Sequence, residues 1–184
     1  MPKFLPTDLP GVLLIEPDVI GDARGFFLET YNQCKYDAGG LAQRFVQDNH
    51  ALSAKGVLRG LHAQRKDPQG KLVRVVEGAI FDVVVDIRKG SPTFGRWISV
   101  ELSGENFRQL WVPPDFAHGY CVLSERAHME YKVTTFYDPA TEFSLLWNDP
   151  ALGIAWPFKE PALSKRDAAG KTLAQLSDNL PSFR

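Results

Sequence analysis

Residues 70–87 read GKLVRVVEGAIFDVVVDI. Two runs rich in β-branched residues, 70–78 and 80–87, are separated by Gly78-Ala79. Runs of this length bounded by turn residues predict strands rather than helices. Side chains alternate between the two faces of a strand. In 80–87 this puts Phe81, Val83, Val85 and Ile87 on one face, and Ile80, Asp82, Val84 and Asp86 on the other. In 70–78 it puts Lys71 with Val73 and Val75, opposite Leu72, Arg74 and Val76. A lysine aligned with valines belongs at the mouth of a strand or inside a cavity.

The same pattern continues outward from this stretch. Residues 95–102, 108–113, 117–123 and 127–135 are expected strands downstream, and 12–16, 26–30, 45–52 and 57–64 upstream. Turn chemistry separates them at Lys89-Gly90-Ser91-Pro92, Ser103-Gly104-Glu105-Asn106, Pro113-Pro114-Asp115 and Asp138-Pro139. Many short strands at such spacing predict an all-β sandwich, barrel or jelly roll. In 127–135, Met129, Tyr131 and Val133 share the apolar, inward face, opposite His128, Glu130 and Lys132. Only two short helices are expected. One lies within 32–40 and stops at Gly39-Gly40; the other runs from Ser164 to about Ala169, opened by a Ser-Lys-Arg-Asp capping signal.

The chain has 184 residues, with 21 Lys+Arg against 22 Asp+Glu and a net charge of −1. That length fits one domain over 1–184, with a strand core at about 10–150 and a C-terminal segment at 151–184. The balanced charge speaks against a nucleic-acid partner. No apolar run approaches the ~18–20 residues that span a bilayer, and prolines and Asp8 interrupt the N-terminal stretch. Two cysteines, Cys34 and Cys121, are too few for a disulfide framework. A soluble, cytoplasmic protein without membrane or nucleic-acid partners is expected.

The polar residues that could do chemistry are few. The four histidines are His50, His62, His118 and His128. A strand histidine is ordinarily a hydrogen-bonded structural residue. His62-Ala63-Gln64 lacks the second histidine of an H-x-H metal motif, and His62 with His118 alone makes a poor transition-metal site. No metal and no cofactor are expected. Arg24 and Arg59 occupy distinctive settings, Gly-Asp-Ala-Arg-Gly and Leu-Arg-Gly-Leu-His, and guanidinium forks suit phosphate.

Several separated motifs together resemble the dTDP-4-dehydrorhamnose 3,5-epimerase family. They are Gly21-Asp22-Ala23-Arg24-Gly25-Phe26-Phe27, Gln47-Asp48-Asn49-His50, Leu58-Arg59-Gly60-Leu61-His62, Gly70-Lys71-Leu72-Val73-Arg74, Phe81-Asp82-Val83, Ser91-Pro92-Thr93-Phe94-Gly95, Phe116-Ala117-His118-Gly119 and Trp147-Asn148-Asp149-Pro150. The resemblance covers residues from about 4 to about 170. It implies a metal-free, cupin-type jelly roll and a homodimer. It also implies cofactor-independent epimerisation of dTDP-4-dehydro-6-deoxy-D-glucose at C3 and C5 during dTDP-L-rhamnose synthesis. By resemblance His62 is the base, Asp167 its carboxylate partner, Tyr131 the proton donor on the opposite face, and Lys71 the stabiliser of the enolate. Arg24, Glu29, Gln47, Asn49, Arg59, His118, Glu142 and Arg166 are implied to bind the substrate, with Tyr137 stacking on thymine. Asp82 is a candidate counter-charge for Lys71, or else a carboxylate at the barrel rim.

Three expectations are in tension with local pattern. Asp167 is claimed both by the capping signal and by His62. Strict alternation puts Arg59 and His62 on opposite faces, so a bulge at Gly60 or a site wrapping the strand is required. Ala63 stands where the family usually has an aromatic, which would enlarge the substrate pocket. Asp115 replaces a turn glycine, a position at which Asp tolerates the left-handed conformation.

Overall fold

The computed structural model describes residues 1–183. Thirteen strands run in the order β1 (Lys3–Pro6), β2 (Leu13–Glu16), β3 (Val19–Asp22), β4 (Gly25–Leu28), β5 (Gln47–Ala54), β6 (Leu58–Gln64), β7 (Lys71–Glu77), β8 (Ala79–Asp86), β9 (Trp97–Ser103), β10 (Gln109–Val112), β11 (Phe116–Val122), β12 (Arg126–Val133) and β13 (Glu142–Ser144). Helix α1 (Gln33–Ala38) precedes β5, and α2 (Lys165–Ala168) follows β13. A six-stranded sheet has the order β1-β2-β10-β7-β12-β5, and a five-stranded sheet the order β13-β6-β11-β8-β9. All their pairings are antiparallel. Sequence neighbours β7 and β8 lie in different sheets, so the chain crosses between layers as a cupin-type jelly roll does.

The strand faces sort as alternation dictates. Val73, Val75 and Met129 of the large sheet meet Ile80, Val84, Tyr120 and Val122 of the small sheet in the core between them. Burial of each such aliphatic side chain stabilises the fold by roughly 1.5–3 kcal/mol. β8 is apolar on both faces because both are covered. Its Val83 and Val85 pack outward with Leu61 and Ala117 beneath Leu145 and beneath Leu152, Leu173, Leu176 and Leu180 of the C-terminal segment. The far side of the large sheet is closed by α1, where Tyr36 and Leu41 pack on Leu72 and Trp111. The helix is capped by Asn32, whose side chain accepts from the Lys35 N–H.

Strands β1, β3 and β13 were not expected from sequence; each is only three or four residues long. β3 and β4 form a separate hairpin, which exposes Ile20, Phe26 and Phe27. Among the described residues, no helix is long and apolar enough to cross a membrane.

Candidate active site

β6 supplies the first two site residues through a register shift. His62 pairs with His118, whereas Arg59 pairs with Tyr120. Between these pairs Gly60 and Leu61 of β6 face the single residue Gly119 of β11, so the extra residue turns Arg59 onto the same side as His62. Gly60 makes this possible. It takes φ of +127°, and a Cβ there would lie 2.5 Å from the Gly119 Cα. The expected conflict between Arg59 and His62 is resolved by this bulge.

A cavity of about 330 Å³ opens between the sheets, within the usual range for small-molecule sites. Its wall gathers Gln47 and Asn49 from β5, Arg59 and His62 from β6, Lys71 from β7, His118 from β11 and Tyr131 from β12. Tyr137, Glu142 and Arg166 complete the mouth. Tyr120, Met129, Ala51 and Gln69 also line it, and sequence reasoning missed them. Two-residue spacing from His118 to Tyr120 and from Tyr131 to Met129 was the available signal.

His62 and Asp167 form the tightest contact. His62 Nε2 lies 2.5 Å from Asp167 Oδ1. The second oxygen, Oδ2, accepts from the Ser164 hydroxyl at 2.8 Å, while that hydroxyl accepts from the Asp167 N–H. The expected competition between cap and dyad therefore does not arise, because the hydroxyl caps α2 and the carboxylate divides its oxygens. Burial acts to raise the Asp167 carboxyl, but the bonds from His62 and Ser164 and the Arg166 charge outweigh it and leave it below its ordinary value. With Nε2 held by a carboxylate, Nδ1 of His62 keeps a lone pair, and the nearest carboxylate oxygen, Glu142 Oε1, stands 3.8 Å away.

Removal from water pushes the Lys71 ammonium below its ordinary value, opposed by the negative charges of Glu142 and Asp82. Asp82 is not at a rim: it is fully buried. Its direct partner is His118, whose Nε2 lies 2.9 Å from both carboxylate oxygens. Lys71 feels Asp82 as a charge and forms no ion pair among the described residues. Burial also raises the Tyr131 phenol, helped by Tyr120 and by Glu142, so it carries its proton at neutral pH. At the mouth, Arg166 pairs with Glu142, Tyr137 Oη donates to Glu142 Oε2 at 2.7 Å, and Gln47 Nε2 donates to Asn49 Oδ1 at 2.8 Å.

Arg24 and Glu29 stand outside the cavity wall. Arg24 sits at the tip of the β3–β4 hairpin, paired with Asp22, and Glu29 pairs with Lys35. Ala63 points away from the cavity into the outer apolar cluster beside Phe143, so it does not enlarge the substrate pocket as expected. Asp115 takes φ of +70°, the left-handed conformation expected of it. Among the described residues, no group of three His, Cys, Asp or Glu side chains is placed to hold a metal ion. A second hollow of about 230 Å³ lies on the outer side of the large sheet. There Lys132 is already paired with Asp48 and Arg74 with Glu130, which leaves little charge for a ligand.

Comparison with known proteins places this geometry in a family. The dTDP-4-dehydrorhamnose 3,5-epimerase family profile matches residues 6–175. The dTDP-4-dehydrorhamnose 3,5-epimerase of Salmonella typhimurium is 57% identical over 172 residues, covering 92% of this chain and 94% of that protein. The Neisseria gonorrhoeae protein of the same name is 54% identical over 98% of this chain, but the chain spans only 55% of its length. The crystal structure of a dTDP-6-deoxy-D-glucose-3,5-epimerase from Legionella pneumophila, in complex with dTDP-4-keto-L-rhamnose, superposes with a TM-score of 0.97 at 49% identity, covering 100% of both chains.

Proposed function

Because the chain belongs to the dTDP-4-dehydrorhamnose 3,5-epimerase family, we propose that it converts dTDP-4-dehydro-6-deoxy-D-glucose to dTDP-4-dehydro-L-rhamnose. The observation that carries this reading is the convergence of His62, Lys71 and Tyr131 on one cavity. The C4 ketone of the substrate acidifies the C–H bonds at C3 and C5. Inversion at either carbon needs a base on one face, an acid on the other and a stabiliser for the enolate between them.

His62 takes the C3 proton onto its free ring nitrogen, and Asp167 holds the resulting imidazolium. The electron pair moves to the C4 oxygen, where the Lys71 ammonium meets charge that develops mainly in the transition state. Tyr131 then delivers a proton to the opposite face of the carbon. Exchange with water returns the proton to Tyr131 and removes the one on His62, and the cycle repeats at C5. No net oxidation occurs. Arg59, Arg166, His118, Gln47 and Asn49 hold the nucleotide half, with Tyr137 as an aromatic platform for thymine.

The same reading extends to assembly. Arg24 and Glu29 belong to the substrate-binding set by resemblance, yet neither reaches the cavity of its own chain. The hairpin that carries Arg24 exposes Ile20, Phe26 and Phe27, an apolar surface suited to burial. A homodimer in which each hairpin seats on the other copy accounts for both facts. The free thiols Cys34 and Cys121 fit the reducing cytoplasm, where such nucleotide sugars are made.

The test is incubation of the purified protein with dTDP-4-dehydro-6-deoxyglucose in D₂O, with the label followed by NMR. Deuterium at both C3 and C5 is expected. Label at one carbon only would make the protein a mono-epimerase, and no label would make it a binder.

A further inference from the structure

Gln64 stands where an H-x-H metal motif would place its second histidine. The structure gives it a different task. The residue is only 7% exposed, and its amide is fully engaged. Nε2 donates to the Asp67 carbonyl at 2.8 Å and the Lys66 carbonyl at 3.0 Å, and reaches the Phe136 carbonyl at 3.3 Å. Oε1 accepts from the Asp138 N–H at 3.0 Å. The Phe136 carbonyl and the Asp138 N–H flank Tyr137 on either side.

Tyr137 needs such support. It lies in the segment 134–141 between β12 and β13, which has no regular structure, and it is 47% exposed. Its own N–H donates to Gln47 Oε1 at 3.2 Å. Its hydroxyl donates to Glu142, which is the register partner of Gln64. One rung of the β6–β13 ladder thus holds Tyr137 at both ends, Gln64 by the backbone and Glu142 by the ring. Gln64 spends its amide hydrogens and oxygen within the protein and does not line the cavity. It therefore acts on a ligand through what it holds. An aromatic platform fixed in advance spares the ligand the cost of ordering it.

We propose that Gln64 is a positioning residue that fixes Tyr137 as the platform for the nucleobase. It sets affinity for the nucleoside half of the ligand and not for its diphosphate. The inference rests on the platform role of Tyr137 given above.

The substitution Gln64→Met keeps a side chain of similar length and removes every one of these hydrogen bonds. Calorimetry with dTDP and with inorganic diphosphate reads the contrast. The Kd for dTDP is expected to rise ~3–10-fold, the cost of ordering one side chain, while that for inorganic diphosphate shifts less than about 2-fold. Tyr137→Ala alone should weaken dTDP binding by ~5–150-fold. In that background the added effect of Gln64→Met should fall below about 1.5-fold, because the residue it acts through is gone. In turnover, Gln64→Met should raise KM by more than it lowers kcat. If the methionine protein does not fold, Gln64→Glu repeats the comparison, since it keeps the acceptor for Asp138 and loses the amide donors. An undiminished effect in the Tyr137→Ala background, an equal loss for inorganic diphosphate, or a loss mainly in kcat would each overturn the proposal. Wild-type affinity for dTDP in Tyr137→Ala would instead overturn the platform role itself. The binding measurements need no turnover, so their failure is distinct from a failure of the wild-type protein to exchange deuterium.

Discussion

Two histidine–aspartate pairs face one another across the β6–β11 ladder, and they are built differently. His118 and Asp82 come from adjacent strands of one sheet, and their side chains are 7% and 0% exposed. His62 takes its aspartate from α2, 105 residues further along the chain, and its own side chain stays 20% exposed. The sheet holds the first pair as a fixed part of the wall. The second is assembled by the C-terminal segment, which lays Asp167 behind the imidazole and leaves the front open to a ligand. In the proposed mechanism the same chemical pairing serves as a held binding group in one place and an accessible base in the other.

Four substitutions test that contrast, from the largest effect down. Asp167→Asn keeps a group of the same size but removes the negative charge behind His62 and permits the wrong tautomer. We expect kcat to fall ~10³-fold or more. Lys71→Met removes the ammonium that the proposed mechanism sets beside the developing enolate. It should lower kcat by ~10²–10³-fold while dTDP still binds. Asp82→Asn, the counterpart of the first substitution, acts on His118, which the proposed function assigns to the nucleotide half. Its effect on kcat should stay within about 10-fold, since Asn can still accept one bond from His118. A loss as large as that of Asp167→Asn would dissolve the distinction between the two pairs.

The smallest expected effect is on stability and concerns an aspartate outside the cavity. Burial acts to raise the Asp86 carboxyl, but bonds from Arg88, Ser91 and Thr93 overcome this and lower it from 3.8 to about 2. A depressed carboxyl contributes stability that is present above its unfolded value and lost as pH falls through the folded one. After allowance for screening, that contribution is about 1–2 kcal/mol. Asp86→Asn should therefore lower Tm at neutral pH, and the gap to the wild type should close between pH 4 and 2. A gap of constant size across that range would contradict the assignment.

Much of this architecture was legible in the sequence because alternation is a local property. Lys71, Met129, Tyr131 and Val133 turn inward as the two-residue period requires, and the doubly apolar pattern of β8 reflects its two covered faces. The rest depended on features that no local pattern carries. Ala63 was expected at the pocket, but β6 turns it outward beyond the bulge. Asp82 was sought as a partner for Lys71, yet it bonds His118 through a register set between strands far apart in the chain. The capping motif at Ser164 identified α2 correctly but could not tell which atoms of Asp167 remained free for His62. Arg24 and Glu29 follow from family resemblance alone, and the fold of a single chain leaves them away from the cavity.

The central claim is that His62 removes the protons at C3 and C5. The most direct measurement is deuterium incorporation into dTDP-4-dehydro-6-deoxyglucose in D₂O by the His62→Ala protein, with Tyr131→Phe measured alongside. The account predicts exchange at both carbons reduced at least ~10²–10⁴-fold in His62→Ala, whereas Tyr131→Phe loses more net inversion than base-side exchange. Exchange near the wild-type rate in His62→Ala would remove that histidine from the mechanism.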